Sequence, residues 1–333
     1  MEFQLPIQLQ NLPAPISYQD KILLVGSCFT EHIGNKLQEL KFATLQNPHG
    51  ILFDPYSVAA SLVSYTENRP YSKEDLFYLD ELWQSWQHHS IFSDVDKDEC
   101  LRQINTSQRR AHAFLQHADW IIITLGSSFS YRLTGQAGVG AEGLPVANCH
   151  RAPAPWFRKH LMGIEETNAA LDNCIYRLKQ FNPRLRIIFT VSPVRHIRDG
   201  VTENNRSKAR LIEVVHNLVN KFNNLYYFPA YELVIDVLRD YRFYDIDMVH
   251  PNYPATTFVM EKFIQCCINA PARLIMEEVK KIVTARKHKA FQPATRAHQQ
   301  FLLAHLEKTK DLQERYPFLN LAEELFYFEH LQR

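Results

Sequence analysis

Three short, nearly unbroken apolar runs stand out along the chain: KILLVGSC (21–28), DWIIITLGSS (119–128) and LRIIFTVSP (185–193). Runs of that length, rich in Ile, Leu, Val, Phe and Thr, predict strands covered on both faces. FATLQ (42–46) and LYYFPA (225–230) are weaker strands of the same kind. Between them, apolar residues recur at helical spacing over 30–40, 55–67, 97–117, 156–180, 204–222 and 254–269. Strand alternating with helix predicts an α/β fold with a mostly parallel sheet.

Two segments break this rhythm. Residues 76–93, LFYLDELWQSWQHHSIFS, alternate roughly by two and predict a small antiparallel excursion. Residues 129–155 contain GQAGVGAEGLP, expected to form a glycine-rich hairpin or lid, followed by VANCHRAPAP. From Pro271 onward the pattern is helical and charged, as in QQFLLAHLEKTKDLQERY (299–316). The expected organisation is a domain over 1–270 and a helical extension over 271–333.

The 333 residues are 46% hydrophobic, enough for a large core. Lys+Arg (37) and Asp+Glu (36) nearly cancel, so no overall field attracts nucleic acid or an anionic membrane. The basic run KKIVTARKHK (280–289) reads as a solvated helix face, with partner binding as the other reading. Six cysteines (28, 100, 149, 174, 266 and 267) include no CxxC pair, which suits neither a disulfide framework nor a zinc ribbon. The first residues lack a basic segment followed by an apolar run, and no stretch approaches the about 18 apolar residues of a membrane span. The expectation is a cytoplasmic protein with reduced thiols.

In an open parallel sheet, ligands bind beyond the carboxyl ends of the strands. Those ends carry Gly26-Ser27-Cys28, NPHG (47–50), LGSSFSYR (125–132), SPVRHIRDG (192–200) and, past a short helix, YDIDMVHPN (244–252). The first turn is no dinucleotide fingerprint, since only Gly26 and Gly34 occur there, and no Walker sequence is present. No cofactor is expected. A nucleophile at the strand-to-helix turn fits better, because the helix N–H groups and dipole favour a thiolate or a developing oxyanion. Cys28 is the stronger nucleophile, with Ser27 beside it; the bland reading makes Cys28 a small buried hydrophobe. Three residues separate Asp247 from His250, a spacing that lets the carboxylate orient the imidazole. Asp245 is a nearby competitor.

LLVGSCFTEHI resembles the signature of the GSCFA family, itself related to the SGNH/GDSL esterase superfamily. The resemblance spans about 20–270 and includes NPHGILFDP, TLGSSFSYR, VANCHR, SPVRHIRDGVTENNRSKA and YFPAYELVIDVLRDYRFYDIDMVHPN. It implies a three-layer αβα, flavodoxin-like hydrolase of esters, acting on a small-molecule or carbohydrate ester. By the resemblance, Gly26 keeps the first glycine, Ser27 replaces an aspartate and Cys28 replaces the nucleophilic serine. Gly50 matches the oxyanion-hole glycine, Ser128 stands in place of the oxyanion asparagine after Gly126 and Ser127, and Asp247 and His250 match the Asp-x-x-His block. The N–H of Cys28 completes the expected oxyanion hole.

His150, Arg195 and His196 lie on loops expected to border the site and bind substrate; Arg195 suits an acidic or phosphorylated group. Cys149, His150, His196 and His250 lack zinc spacing, so no metal is expected. The expected activity is ester hydrolysis or acyl transfer through Cys28 or Ser27, with His250 as base. The alternative is a non-catalytic module that binds a carbohydrate or acidic ligand in the same crevice.

Overall fold

The computed structural model describes residues 5–330. The three strong apolar runs become β1 (Lys21–Gly26), β5 (Trp120–Leu125) and β9 (Arg186–Val191), and the weak ones become β2 (Ala43–Gln46) and β10 (Leu225–Tyr227). They form one parallel sheet in the order β10-β9-β5-β1-β2. Counted along the chain, that is the flavodoxin-like order, which reverses direction between β1 and β5 and opens a crevice there. Every residue of β5 is buried, and each large apolar side chain so placed contributes about 1.5–3 kcal/mol.

Side chains along a strand alternate between faces, and the two sides of the sheet bury different sets. Ile22 and Leu24 join a cluster with α1 (Cys28–Glu39) and α7 (Tyr253–Cys267). Leu23 and Val25 join another with α2 (Pro55–Glu67), α3 (Lys97–Leu115), α4 (Ile164–Phe181) and α5 (Val201–Lys221). The result is a three-layer αβα architecture.

The antiparallel excursion is the hairpin of β3 (Phe77–Leu79) and β4 (Leu82–Gln84). The glycine-rich segment forms a sheet of its own, in which β6 (Phe129–Leu133) pairs with β7 (Pro145–Val146) and β8 (Phe157–Leu161). Here the structure differs from the sequence pattern, which predicts helix from 156. FRKHL is strand because it pairs residue for residue with β6, and α4 starts only after its N-cap, Gly163.

After β10 comes a short helix, α6 (Ala230–Glu232), that widens to π geometry over Leu233–Leu238. Beyond α7 lie α8 (Ala270–Lys287), α9 (Arg296–Arg315) and α10 (Ala322–His330). Ile275, Met276, Val279, Leu302 and Phe328 of these helices share the apolar cluster of Ile22 and Leu24. Glu324 of α10 is wholly buried and pairs with Lys41 at 2.8 Å and Arg286 at 3.3 Å. Among the described residues, no helix is long and apolar enough to cross a membrane.

Tyr71 and His88, which flank the hairpin β3–β4 in sequence, belong to a knot of buried rings. His49 stacks near His88, Tyr65 and Tyr71, with ring centroids 4.1, 4.9 and 5.9 Å away, and its Nε2 meets Gln108 Oε1 at 3.1 Å. Burial pushes the His49 pKa down to about 4. The unfolded chain therefore binds a proton that the folded chain refuses between about pH 6.5 and 4, so stability falls as pH drops through that window. His49 alone should cost about 2 kcal/mol between pH 7 and pH 5. Urea melts at both pH values should show a smaller acid loss in His49→Gln than in the parent; equal losses would contradict this account.

Candidate active site

The site begins where β1 stops. Gly26 has φ +143°, and a Cβ there would lie 2.1 Å from the Thr124 carbonyl oxygen, so only glycine fits. Its register partner is Thr124, and the next N–H, that of Ser27, donates to the same carbonyl at 3.1 Å. Ser27 is the N-cap of α1, yet its hydroxyl caps nothing. The hydroxyl is buried and, among the described residues, has no hydrogen-bond partner. Cys28 is the first helical residue and is half-buried against the apolar cluster of Ile22 and Leu24, so the turn seals Ser27 beneath and leaves Cys28 partly exposed.

Opposing fields act on that thiol. Burial pushes its pKa up and Glu31 adds to the rise, while Lys208 and the N–H groups of Phe29 and Cys28 pull it down. The upward forces prevail, and the resting group is a protonated thiol.

The turn after the sixth helix presents the second half of the site. His250 Nδ1 donates to Asp247 Oδ2 at 2.6 Å, and Asp247 Oδ1 accepts from the N–H groups of Val249 and His250 at 2.9 and 3.0 Å. These bonds hold the Asp247 carboxyl down to about pKa 2, so it is ionised wherever an imidazole titrates. The Asp245 N–H donates to the His250 carbonyl at 2.8 Å and closes the turn, and its carboxylate acts electrostatically on His32 rather than bonding to His250.

His32 sits four residues after Cys28, one helical turn along α1, and feels the charges of Glu31, His250 and Asp245. His196 feels Lys208 and His250. Electrostatic influence thus links Cys28 with Lys208, His196 with both Lys208 and His250, and His32 with His250. Burial lowers the His32 pKa and takes that of His196 down to about 4, which keeps the His196 imidazole neutral. The His196 ring meets Phe53 edge-on at 5.6 Å, and the backbone N–H of His196 donates to Asn204 Oδ1 at 2.8 Å.

Other expected site residues are differently employed. The Gly50 N–H donates to the Asn47 carbonyl at 2.7 Å, closing a tight turn, and its missing Cβ makes room for His89. The Ser128 hydroxyl is wholly buried and donates to the Ser207 carbonyl at 3.1 Å, while its N–H donates to Ser207 Oγ at 2.7 Å. Neither donor is free for an oxyanion, which leaves the first N–H groups of α1, at Cys28 and Phe29, as the donors against the thiol. Arg195 does not extend toward a ligand. Its guanidinium lies over Tyr244 at 4.1 Å and Tyr241 at 5.1 Å, and Nη1 donates to the Met248 carbonyl at 3.4 Å. Arg195 therefore braces the Asp247–His250 turn. His150 is buried edge-on to Phe77 and Trp86 and its Nε2 meets the Ser85 carbonyl at 2.8 Å, so it supports the hairpin rather than lining an open surface.

Among the described residues, no three His, Cys, Asp or Glu side chains converge to hold a metal ion. A separate cavity of about 440 Å³ lies between α2 and β7, lined by His49, Ser61, Ser64 and Pro145, and Cys28 does not line it.

Sequence reasoning misses His32 and Lys208. The signal for His32 is its i+4 spacing from Cys28. Lys208 falls on the buried stripe of α5 between Asn204 and Leu211, where a lysine is out of place.

Comparison with solved structures returns distant likenesses. A carbohydrate esterase family 3 protein from Talaromyces cellulolyticus is 9% identical, with a TM-score of 0.37 and 79% of this chain and 99% of that one covered. A family 3 carbohydrate esterase of Clostridium thermocellum is 9% identical, with a TM-score of 0.33 and coverages of 80% and 99%. An acetyl esterase mutant solved with an acetate ion is 10% identical, with a TM-score of 0.36 and coverages of 79% and 100%. Such scores say nothing about the chemistry of this chain. Comparison with curated proteins returns no match. Two family models do match: that of the GSCFA family over residues 21–263, and that of the GSCFA domain protein, C-terminal domain, over residues 279–331. With the first match spanning well over half of its length, the chain belongs to the GSCFA family.

Proposed function

We propose that this protein transfers acyl groups from esters through Cys28, to water as a hydrolase or to an alcohol as an acyltransferase. The observations that carry the reading are a partly exposed cysteine at a helix N-terminus and a carboxylate-bound imidazole on a turn beyond the carboxyl edge of the sheet. In the forward step the Cys28 sulfur attacks the ester carbonyl carbon and a C–S bond forms. His250 takes the thiol proton and returns it to the departing alkoxide as the C–O bond breaks. Water or an alcohol then attacks the thioester, gives its proton to His250, and releases Cys28 as thiolate for reprotonation. Asp247 keeps the imidazole in one tautomer and orientation. A small-molecule or carbohydrate ester is the proposed substrate class.

A second reading, a binding module without turnover, is favoured by the commitment of the Gly50 and Ser128 donors and by the upward pull on the Cys28 thiol. Brief exposure to an activated acyl ester at neutral pH, followed by peptide mapping, separates the two. Catalysis predicts acylation at Cys28 that falls at least about tenfold in His250→Ala. Label on Ser27 would move the nucleophile by one residue, and no selective label would support the binding module.

The bracing of the His250 turn by Arg195 has its own test. Arg195→Leu should speed amide exchange across 241–250 by about tenfold, the equivalent of roughly 1.4 kcal/mol, by removing both ring contacts. Exchange unaltered in that variant would remove Arg195 from this role.

A further inference from the structure

Lys208 is the most unusually placed side chain in the molecule. It is 1% exposed, on the face of α5 that packs against the sheet. Its Nζ donates to the carbonyls of Gly126 and Ser192, each at 2.6 Å, at the ends of the adjacent strands β5 and β9. Among the described residues no carboxylate pairs with it. A lysine is almost never fully buried unless it is paired, so its location calls for a countercharge or a task.

Two carbonyl acceptors satisfy a neutral amine completely, since –NH₂ has two protons to give. The ammonium has a third proton and a full charge, both costly in a dry site. The groups that face Lys208 are few. From α1 comes Cys28, which interacts electrostatically with the amine, and from the loop after β9 comes neutral His196. Glu31 acts on Cys28, not on the lysine. Gly126, whose carbonyl receives the amine, packs against the turn that presents the thiol; a Cβ on Gly126 would lie 3.2 Å from that of Ser27.

We infer that Lys208 is a positioning residue for the nucleophile: a buried amine whose countercharge is the Cys28 thiolate, so that the two groups ionise as a pair. Either charge alone is expensive in this setting, and the two together cost less because each offsets the field of the other. The inference rests on the reading of Cys28 as a nucleophile, and it adds to the N–H groups of Phe29 and Cys28 a second force that opposes the burial of the thiolate. Burial takes the pKa of Lys208 down to about 7, close enough to neutrality that a nearby negative charge decides its protonation. The coupling is reciprocal: whatever Lys208 does for the thiolate, the thiolate does for the ammonium.

The experiment reads each side of that coupling without any ester. First, the rate of Cys28 alkylation by iodoacetamide is followed from pH 6 to 10 in the parent, Lys208→Met and Lys208→Arg. The pair predicts a midpoint shifted upward and a rate at pH 7 lowered at least about tenfold in Lys208→Met, with recovery in Lys208→Arg. Second, to guard against a misfolded Lys208→Met, the lysine is kept and the partner changed. NMR of ¹³C-labelled lysine should show Lys208 titrating at least about one pH unit higher in Cys28→Asp than in Cys28→Ala. An alkylation profile indifferent to Lys208→Met in folded protein, or equal Lys208 midpoints in the two Cys28 variants, overturns the pairing. If the pairing holds and no acyl ester labels Cys28, the ester chemistry fails while the coupled pair stands.

Discussion

The backbones of β1 and β5 approach each other at Gly26 so closely that the Thr124 carbonyl fills the space any side chain would need. The rest of the site is built outward from that contact. The same carbonyl receives the Ser27 N–H, which fixes the direction in which the chain leaves the sheet and the residue on which α1 starts. With α1 begun at Cys28, the thiol lies against N–H groups that have no helical acceptor, and the hydroxyl of Ser27 is shut underneath. Backbone geometry thereby makes Cys28 the more exposed of the two adjacent side chains.

Around this turn the structure arranges an excess of neutral nitrogen. His32, His196 and Lys208 all have their charged forms disfavoured by burial, and the carboxylate of Asp247 is committed to the His250 turn. Buried groups of this kind respond strongly to any charge that develops beside them, because their surroundings do little to screen the change. The donors that the family resemblance implies for the oxyanion hole are occupied elsewhere, Gly50 in a turn and Ser128 on Ser207.

The sheet, its helices and the Asp247–His250 turn were legible because each rests on a local pattern. Continuous apolar runs mark doubly covered strands, and an Asp three residues before a His on a turn has little freedom except to bond to it. The errors share a different cause. FRKHL reads as the start of a helix because its pairing partner, β6, is more than twenty residues away in sequence, and nothing in five residues announces it. Arg195 reads as a ligand-seeking cation because the two tyrosines that hold it lie over forty residues downstream. Ser128 and Gly50 match the resemblance by type and position, but hydrogen-bond capacity is spent in three dimensions, and a sequence does not record where. Lys208 could have been flagged by its place on an apolar stripe, though only its lack of a carboxylate gives that place a meaning.

The ion pair between Lys287 of α8 and Glu39 at the end of α1 joins residues 248 positions apart. Glu324 likewise reaches back from α10 to Lys41. The helix that carries the thiol is therefore synthesised well before the groups that anchor its far end. At synthesis rates of about 5–20 residues per second, roughly 12–50 s separate Glu39 from Lys287. Throughout that interval the nascent chain holds α1 without these two anchors at its far end.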